Sequence, residues 1–477
     1  MPRGTTSLFT SKIKDETALF LAADEGLEDT VRELLALGID PLEEQFGTMA
    51  IENAAAKGHA AVVQALLEGK EYREKQLRRK DREGISPLWR ACFEGHEEVV
   101  KVLLECEKRF SSTSNSTFSI FVENEKGQVQ RSKQLVPMVL DSIDVDGLSP
   151  LLIAGFQGHE SVIQILLDWD VVGEELVQKQ LQHKDSRGHS ILFFAARRGL
   201  TDVVKVILVQ LRHMDHKTIR AEHPVHEDHD PVVSEDIVAN PDVGVPNPDG
   251  VPNPDGVPNP DLAPNINSPN YFLFHATLED RVTPLQVAAR EGHLEIVELL
   301  LKNESLTTYS QHDHENITIA LAQQKKDQLF YRDLNARTAL WTAAHAGHAK
   351  IVKYLLDRED ELLNLLSSTD DGTTATAPKI KPPKAKKFTF LGSDSMAVVP
   401  DRDGSIPVMT AAMSGHKKVI RILLAHYTAK EQLERKKGEA SGFLERMGFE
   451  DLVQEAMKRI ALAEGKEKEV EMSDDDE

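Results

Sequence analysis

The residues of this chain best suited to chemistry are its eighteen histidines. Five of them crowd into residues 213–229, several at spacings of three that suit Zn²⁺ or Ni²⁺ ligands. They are His213, His216, His223, His226 and His229. Prolines interrupt this stretch and it has no cysteine, so nothing fixes the geometry of a site. We therefore expect no specific metal site from these five histidines, and His312 and His314 are weaker candidates still. A metal-responsive regulator acting through this loop remains a third hypothesis.

The cysteines and the common catalytic motifs give no sign of an enzyme. Cys92 stands at a position that favours a small buried side chain, and Cys106 has no activating neighbour pattern. The chain has no G-x-S-x-G elbow, no Walker loop, no G-x-G-x-x-G and no H-E-x-x-H. We expect no catalytic residue and no cofactor. Two cysteines also exclude a disulfide-stapled secreted scaffold.

One pattern recurs along the chain and accounts for six other histidines. Its clearest copy, residues 81–104, has the sequence DREGISPLWRACFEGHEEVVKVLL. Seven further copies are centred on Gly26, Gly58, Gly158, Gly199, Gly292, Gly347 and Gly415. In six of the eight copies the glycine is followed by histidine, namely His59, His96, His159, His293, His348 and His416. We predict that these histidines are structural, because they belong to the repeated turn.

Each part of the repeated unit has a physical role. Asp-x-x-Gly fits a tight turn, and the Ser or Thr that follows is a natural helix N-cap with Pro at the first helical position. An Ala pair keeps the first helix thin, and the glycine ends it. The Val and Leu pairs form the apolar stripe of a second helix. One helix pair cannot bury this stripe alone, so stacked pairs must share a core.

The unit resembles the ankyrin repeat, D-x-x-G-x-T-P-L-H-x-A-A-x-x-G-H followed by V-V and L-L. Eight copies match most of residues 12–426. The resemblance implies an all-α solenoid of helix pairs with hairpin-like loops, here interrupted by disordered insertions. The first two copies lack the Asp, the sixth has Leu278 and Arg281 where Asp and Gly belong, and the last has Ile406 in place of Thr. We expect irregular hairpins there.

The spacing of the copies predicts the domain boundaries. Successive glycines lie 32, 37, 63, 41, 93, 55 and 68 residues apart, whereas an uninterrupted array steps by about 33. The predicted segments are copies one to three (1–108), an insertion (109–140), copies four and five (141–210), an acidic proline-rich loop (211–278), copy six (279–304), an insertion (305–330), copy seven (331–366), a Lys/Pro-rich linker (367–399), copy eight (400–427), a helical cap (428–464) and an acidic tail (465–477).

The resemblance implies a non-catalytic scaffold or adaptor that binds a partner protein. Ankyrin proteins bind through hairpin tips and the concave face formed by the first helices. The corresponding residues here are Arg82, Glu83, Ile85, Phe93, Glu94, Val145, Asp146, Leu148, Phe156, Gln157, Ser186, Arg187, His189, Arg197, Arg198, Arg290, Glu291, Leu334, Asn335, Arg337, His345, Arg402, Asp403, Ser405, Met413 and Ser414. Trp89 and Trp341, at the His position of the repeat, are predicted to be partly buried braces.

The charge distribution suggests an alternative function. The net charge is −22, but ten acids and no Lys or Arg lie in residues 221–261, and four more acids end the chain. Acidic segments attract basic proteins, so the alternative is an acidic escort or chaperone for a basic client such as a ribosomal or chromatin protein. The same charge repels phosphates, so we do not expect nucleic acid as a partner.

Three linear features leave two interpretations each. The repeated V-P-N-P-D-G motif from Val245 is either a ligand for another protein or an expanded surface loop. The lysines around Pro382-Pro383 are either a nuclear-import signal or a solvated linker, and Ser473 before the final acids is either a phosphorylation site or part of a solubilising tail. The lysines in question are Lys379, Lys381, Lys384, Lys386 and Lys387.

The composition also bears on the location of the protein. No apolar run approaches the ~18–20 residues of a membrane-spanning helix, and residues 1–14 have no secretory h-region. We therefore expect a monomeric cytoplasmic or nuclear protein without a membrane partner.

Overall fold

A computed structural model describes most of the chain outside the long insertions. The residues described are 18–45, 47–113, 119–123, 129–133, 142–222, 276–302, 325–368, 395–426 and 428–474. Within these ranges the structure is mostly helical and consists of eight successive helix pairs.

Each pair consists of a short first helix and a second helix that follows it after the Gly turn. The first helices are Ala18–Asp24 (α1), Ala50–Lys57 (α3), Pro87–Glu94 (α6), Pro150–Gln157 (α8), Ile191–Arg198 (α12), Pro284–Glu291 (α14), Ala339–Ala346 (α17) and Pro407–Met413 (α19). The second helices are Glu28–Ala36 (α2), Ala60–Glu68 (α4), Glu97–Thr113 (α7), Glu160–Leu166 (α9), Thr201–Glu222 (α13), Leu294–Lys302 (α15), Ala349–Ser368 (α18) and Lys417–Leu423 (α20).

The remaining elements connect the pairs or follow the last one. The additional helices are Lys70–Arg78 (α5), Trp169–Val172 (α10), Glu174–Gln182 (α11), residues 325–330 (α16), Ala429–Arg446 (α21) and Glu450–Asp474 (α22), with a 3-10 turn at Met396–Val398. Two antiparallel hairpins pair Glu44–Gln45 (β1) with Thr48–Met49 (β2), and Ser119–Glu123 (β3) with Val129–Lys133 (β4).

The first helices begin and end where the sequence signals place them. The hydroxyl of Ser86 accepts a hydrogen bond from the Trp89 N–H at 3.1 Å, and Ser149, Ser190, Thr283 and Thr338 cap their helices in the same way. Copy eight departs from this pattern, because Ile406 offers no capping side chain. The prediction of an irregular hairpin in copy eight is nevertheless wrong: the Ser405 N–H donates to Asp401 Oδ1 at 2.8 Å, as the Ile85 N–H donates to Asp81 Oδ1 in copy three.

The helix pairs form one continuous stack despite the insertions. Every first helix packs against the first helix of the next copy, and every second helix packs against the next second helix. The Ala pairs lie at these junctions and are buried, so adjacent first helices approach closely. A single apolar core runs from Leu19 to Ala456, and α21 covers its end by packing on α19. The insertions therefore leave the solenoid uninterrupted.

Three predictions of irregular chain are wrong in part. The insertion 109–140 contains the β3–β4 hairpin, and the run Ser119–Glu123 has the apolar β-formers that favour a strand. The acidic loop predicted from residue 211 begins as helix, because α13 continues to Glu222. The predicted helical cap (428–464) consists of α21 and α22, and α22 extends to Asp474, so Ser473 lies within it and the predicted acidic tail begins as helix.

The hairpin of copy six is longer than the others by one residue. In copy three Asp81 organises the turn, whereas in copy six Thr277 does so: its Oγ1 accepts from the Val282 N–H at 3.0 Å, and its own N–H donates to the Val282 carbonyl at 3.1 Å. Leu278, which the sequence placed at the Asp position, is 71% exposed at the tip. Arg281 stands at the Gly position with φ +53°. This hairpin is irregular, as predicted.

Candidate protein-binding surface

The repeated histidines tie each copy to the preceding one. His59, His96 and His159 place Nε2 within 2.8–2.9 Å of the carbonyls of Asp24, Ala56 and Phe93. The same contact joins His293 to Arg197, His348 to Arg290, and His416 to His345 at 2.9–3.3 Å. These histidines lie in the junctions between copies, which agrees with the structural role that their position predicted.

Copy five makes the same junction without histidine. Leu200 follows its Gly, and Arg198 instead donates from Nε to the Phe156 carbonyl at 2.7 Å. All seven junctions therefore end on the carbonyl two residues before a turn glycine. We call the eight residues at this position the carbonyl row: Asp24, Ala56, Phe93, Phe156, Arg197, Arg290, His345 and Met413.

The hairpin tips are joined by their own backbone hydrogen bonds. The N–H groups of Val145, Ser186, Leu278, Leu334 and Arg402 donate to carbonyls of the preceding tip, at 2.8–3.1 Å. The acceptors are Glu83, Asp146, Arg187, Asp280 and Asn335. Each bond spans a junction between copies, and four of the five span an insertion. The tips and the carbonyl row are thus held at fixed intervals on one framework.

All the residues predicted for partner binding have accessible side chains, but not all are equally free. Ile85 and Leu148 are half-buried and pack against the core. His189 is held by Asp185, whose Oδ2 lies 2.7 Å from the imidazole Nδ1. Among their apolar members, the most exposed are the tip residue Val145 at 74% and Met413 of the carbonyl row at 50%.

Two aromatic side chains of the carbonyl row are held by buried neighbours. Phe93 stacks on Trp89, with ring centroids 5.4 Å apart, and is 36% exposed. Phe156 meets the buried Phe194 edge to face at 5.8 Å, has the Arg198 guanidinium carbon 5.7 Å from its ring centroid, and is 39% exposed. Rings that are held by their neighbours and stay partly exposed lose little entropy on binding, which is typical of interface anchors.

The next two residues of the row are arginines. Within the described residues, the guanidinium of Arg197 has no ion pair and no hydrogen bond. Arg290 contacts the adjacent Glu291 at 3.1 Å, and both side chains are largely exposed. An exposed pair of this kind contributes little and exchanges readily. The row therefore presents two cations directly after two aromatic rings.

The two tryptophans act as braces, as predicted. The Nε1 of Trp89 donates to the Leu148 carbonyl at 3.1 Å, and that of Trp341 donates to the Ser405 carbonyl at 3.2 Å. Both are buried, at 8% and 6% exposure. Each tryptophan thus fastens its helix to the hairpin of the next copy.

Two predicted binding residues around Trp341 also have structural partners. The guanidinium carbon of Arg337 lies 4.5 Å from the Trp341 ring centroid. His345 stacks on the same ring at 5.2 Å, and its Nδ1 is 3.0 Å from Thr410 Oγ1. The side chains of Arg337 and His345 are therefore already engaged by neighbouring groups of the protein.

Sequence reasoning missed the tip of copy six and a buried acid in copy seven. Leu278, Glu279 and Asp280 are exposed at that tip. The signal that could have indicated them is the length of this hairpin, which is one residue greater than in the other copies. Glu359 is fully buried, accepts from the Met396 N–H at 2.9 Å, and its burial raises its pKa to about 7. No sequence signal indicated it, because the two residues lie 37 positions apart.

The structure adds little reactive chemistry to this surface. In the part of the chain that the structure describes, no three His, Cys, Asp or Glu side chains are placed to hold a metal. His223, His226 and His229 lie outside the described residues. Burial raises the pKa values of both the Cys92 and the Cys106 thiol, which opposes thiolate formation. None of the described helices is long and apolar enough to cross a bilayer.

The stacked helix pairs and their Gly-turn junctions define a helical repeat protein. A family model of three consecutive ankyrin repeats matches residues 19–114, and a model of the single ankyrin repeat matches residues 280–308 and 335–366. Residues 19–114, 280–308 and 335–366 therefore match the ankyrin repeat, and they lie within the stack of eight helix pairs.

Individual proteins match the chain less extensively. The ankyrin repeat-containing protein ITN1 of Arabidopsis thaliana is 34% identical over 100 residues, which are 20% of this chain and 16% of that protein. The crystal structure of the human ASB11 ankyrin repeat domain aligns with a TM-score of 0.39 at 18% identity, covering 72% of this chain and 98% of that domain.

Proposed function

We propose that this chain is a monomeric, non-catalytic scaffold or adaptor in the cytoplasm or nucleus, and that it binds a partner protein. The contact surface is formed by the hairpin tips and the carbonyl row. Ankyrin repeats generally mediate protein–protein interactions, which supports the class of function.

The observation that carries the proposal is the contrast between constant junctions and varied side chains. Seven row carbonyls lie within hydrogen-bonding distance of a side chain of the next copy, six of a histidine and one of Arg198, yet the row side chains change from acid to aromatic to basic. Phe93 and Phe156 stay more than a third exposed on adjacent copies although the core beneath them is closed. Exposed aromatic rings clustered on a rigid support are typical of protein interfaces.

The test is quantitative proximity labelling in the native cell with the wild type, an F93S/F156S variant and an L462S control. Leu462 is 66% exposed on α22, far along the chain from the row. We expect the double variant to lose a set of partners that the control retains, at equal protein level and unfolding midpoint. Retention of every partner by the double variant would contradict the proposal.

The acidic escort remains the alternative, supported by the charge of residues 221–261 and of the C-terminus. It predicts basic partners that dissociate steeply as salt rises, since exposed charges are screened within about 8–10 Å at 0.1–0.15 M. Pull-downs at low and high salt, with and without residues 223–261, separate the two functions. Partners kept at high salt support the scaffold.

A further inference from the structure

We infer that the carbonyl row binds an extended segment of the partner that carries two apolar side chains and two carboxylates, spaced three residues apart. This inference rests on the proposed function and names the partner chemistry of the same surface. Four adjacent row positions carry it: Phe93, Phe156, Arg197 and Arg290.

The spacing follows from the packing of the first helices. Helices α6, α8, α12 and α14 pack side by side in that order, and packed helix axes lie about 8–10 Å apart. The His or Arg bond to each row carbonyl fixes equivalent positions on all four helices. An extended peptide advances about 3.3 Å per residue. Three residues of such a peptide therefore span one copy.

The chemistry of the partner follows from the parts of these side chains that remain available for contact. Phe93 and Phe156 are each more than a third exposed, which leaves part of each ring accessible to an apolar group. Arginine binds carboxylates through two parallel hydrogen bonds, and Arg197 has no such partner among the described residues. Two cations on the second helices differ from it: Lys101 contacts Glu97 and Glu98, and Lys302 contacts Glu298.

Aromatic rings beside arginines also occur where single-stranded nucleic acid binds. Here the exposed acid Glu94 follows Phe93, at the aromatic end of the four-residue run. It would lie against a phosphate backbone that carries charge at every step, whereas the proposed peptide places its carboxylates at the other end, beside the arginines. The arrangement thus favours an acidic–apolar peptide.

The experiment measures binding of labelled 14-residue peptides to the full-length protein by fluorescence anisotropy. The probe has Leu at positions 3 and 6 and Glu at positions 9 and 12 in a Ser/Thr/Gly background, and a second probe has the reverse order because an extended chain can run in either direction. Comparison peptides space the same residues by four, or replace Glu with Lys. An oligothymidylate of similar length is the nucleic-acid probe.

We expect one order of the three-residue peptide to bind at least about tenfold more tightly than the four-residue and Lys peptides. This corresponds to roughly 1.4 kcal/mol, close to the lower end of the contribution of one hydrogen bond to a charged group, about 1.5–3 kcal/mol. An R197E/R290E variant should lose at least about tenfold in affinity. An R421E control should not, since Arg421 is also exposed and unpaired within the described residues but lies on α20. The unfolding midpoints should be unchanged.

Equal binding of all peptides, or tighter binding of oligothymidylate, would overturn the inference. The outcome is distinct from failure of the proposed function. If F93S/F156S loses cellular partners while no peptide is preferred, the surface binds proteins of another chemistry. If that variant keeps all its partners, the surface itself is misassigned.

Discussion

In the carbonyl row, the backbone carbonyls make the same type of contact from copy to copy, whereas the side chains differ. The carbonyls of Asp24, Phe93 and His345 accept the same hydrogen bond in three different junctions, although their side chains are an acid, an aromatic ring and an imidazole. The junction uses only the backbone atom, so it places no demand on the side chain. Stability and recognition can therefore vary independently at the same residue, which allows a repeat scaffold to change partner without changing fold.

Copy five shows what the junction requires. Its Arg198 takes the place of the histidine and still bonds the Phe156 carbonyl. A donor that reaches the carbonyl is therefore sufficient, and the imidazole ring is one way to supply it. The row side chains and the junction donors can be tested separately, and the following variants do so in order of expected effect.

Gly95→Ala should have the largest effect on stability, because the added methyl group would overlap with the histidine of the junction. Gly95 has φ +82°, and an added Cβ would lie 2.5 Å from His159 Nδ1. The left-handed conformation costs about 1–2 kcal/mol for Ala, and displacing the ring loses its hydrogen bond, about 1 kcal/mol or more. We expect a total loss of about 2–4 kcal/mol in urea unfolding.

Gly158→Ala is the matched control for this variant. Gly158 has φ +92°, but the nearest atom to an added Cβ is Arg198 Cδ at 3.8 Å. It should show only the backbone cost of about 1–2 kcal/mol. Equal losses for the two variants would mean that the histidine contact contributes nothing at this junction.

Glu359→Gln tests a junction of another kind, made by a buried carboxyl across residues 369–394. Its Oε1 accepts from the Met396 N–H, while His426 lowers and Asp360 raises its pKa less strongly than burial raises it. The folded pKa of about 7 exceeds the usual 4.5, so the folded state holds the proton more tightly. The corresponding stability is complete below pH 4.5 and is lost as the pH rises through about 7.

We therefore expect Glu359→Gln to match the wild type at pH 4.5 and to exceed its stability at pH 8 by up to about 3 kcal/mol, because Gln keeps an acceptor without ionising. Unfolding midpoints from pH 4.5 to 8 measure this. The exposed Glu361 is the control, and the stability of Glu361→Gln should depend on pH in the same way as that of the wild type. A parallel profile for Glu359→Gln would show that the buried carboxyl does not titrate in this range.

Rebuilding the junction between copies two and three on the pattern of copy five should have a smaller effect on stability. His96→Leu removes the bond to the Ala56 carbonyl, which we expect to cost about 1 kcal/mol. Adding Glu94→Arg places an arginine immediately before Gly95, as Arg198 stands before Gly199, and should restore most of the loss. A double-mutant cycle by urea unfolding measures the coupling. Additive effects would show that the junction of copy five depends on its own surroundings.

The sequence predicted the repeats well because their signals are local. Cap, turn glycine and Ala pair each act within one copy, so Ser86, Gly95 and Ala91 could be assigned from their neighbours alone. The six repeat histidines were predicted as structural for the same reason. The carbonyl that each histidine contacts lies 35 to 96 positions away, and only the stacked structure identifies it.

The candidate surface was predicted as a set of positions, not as an arrangement. Phe93, Phe156, Arg197 and Arg290 were all expected at the surface, and the structure aligns them on successive copies. The pattern could not tell that His345 is held by Thr410, or that Thr277 replaces an Asp one residue out of register. Both depend on contacts between copies, or on a loop length that residue types do not determine.

Ala336→Gly should give the smallest effect, and with the opposite sign. Ala336 occupies the Gly position of the copy-seven hairpin with φ +58°, a conformation unfavourable for Ala by about 1–2 kcal/mol. Glycine relieves this cost but gains freedom in the unfolded chain, so we expect a net stabilisation of about 0.5–1 kcal/mol. Ala346→Gly, at the end of α17, should instead destabilise by up to about 1 kcal/mol. Because neither alanine belongs to the carbonyl row, peptide binding should be unchanged in both variants. A variant that changed stability and peptide affinity together would show that the framework and the binding surface are coupled after all.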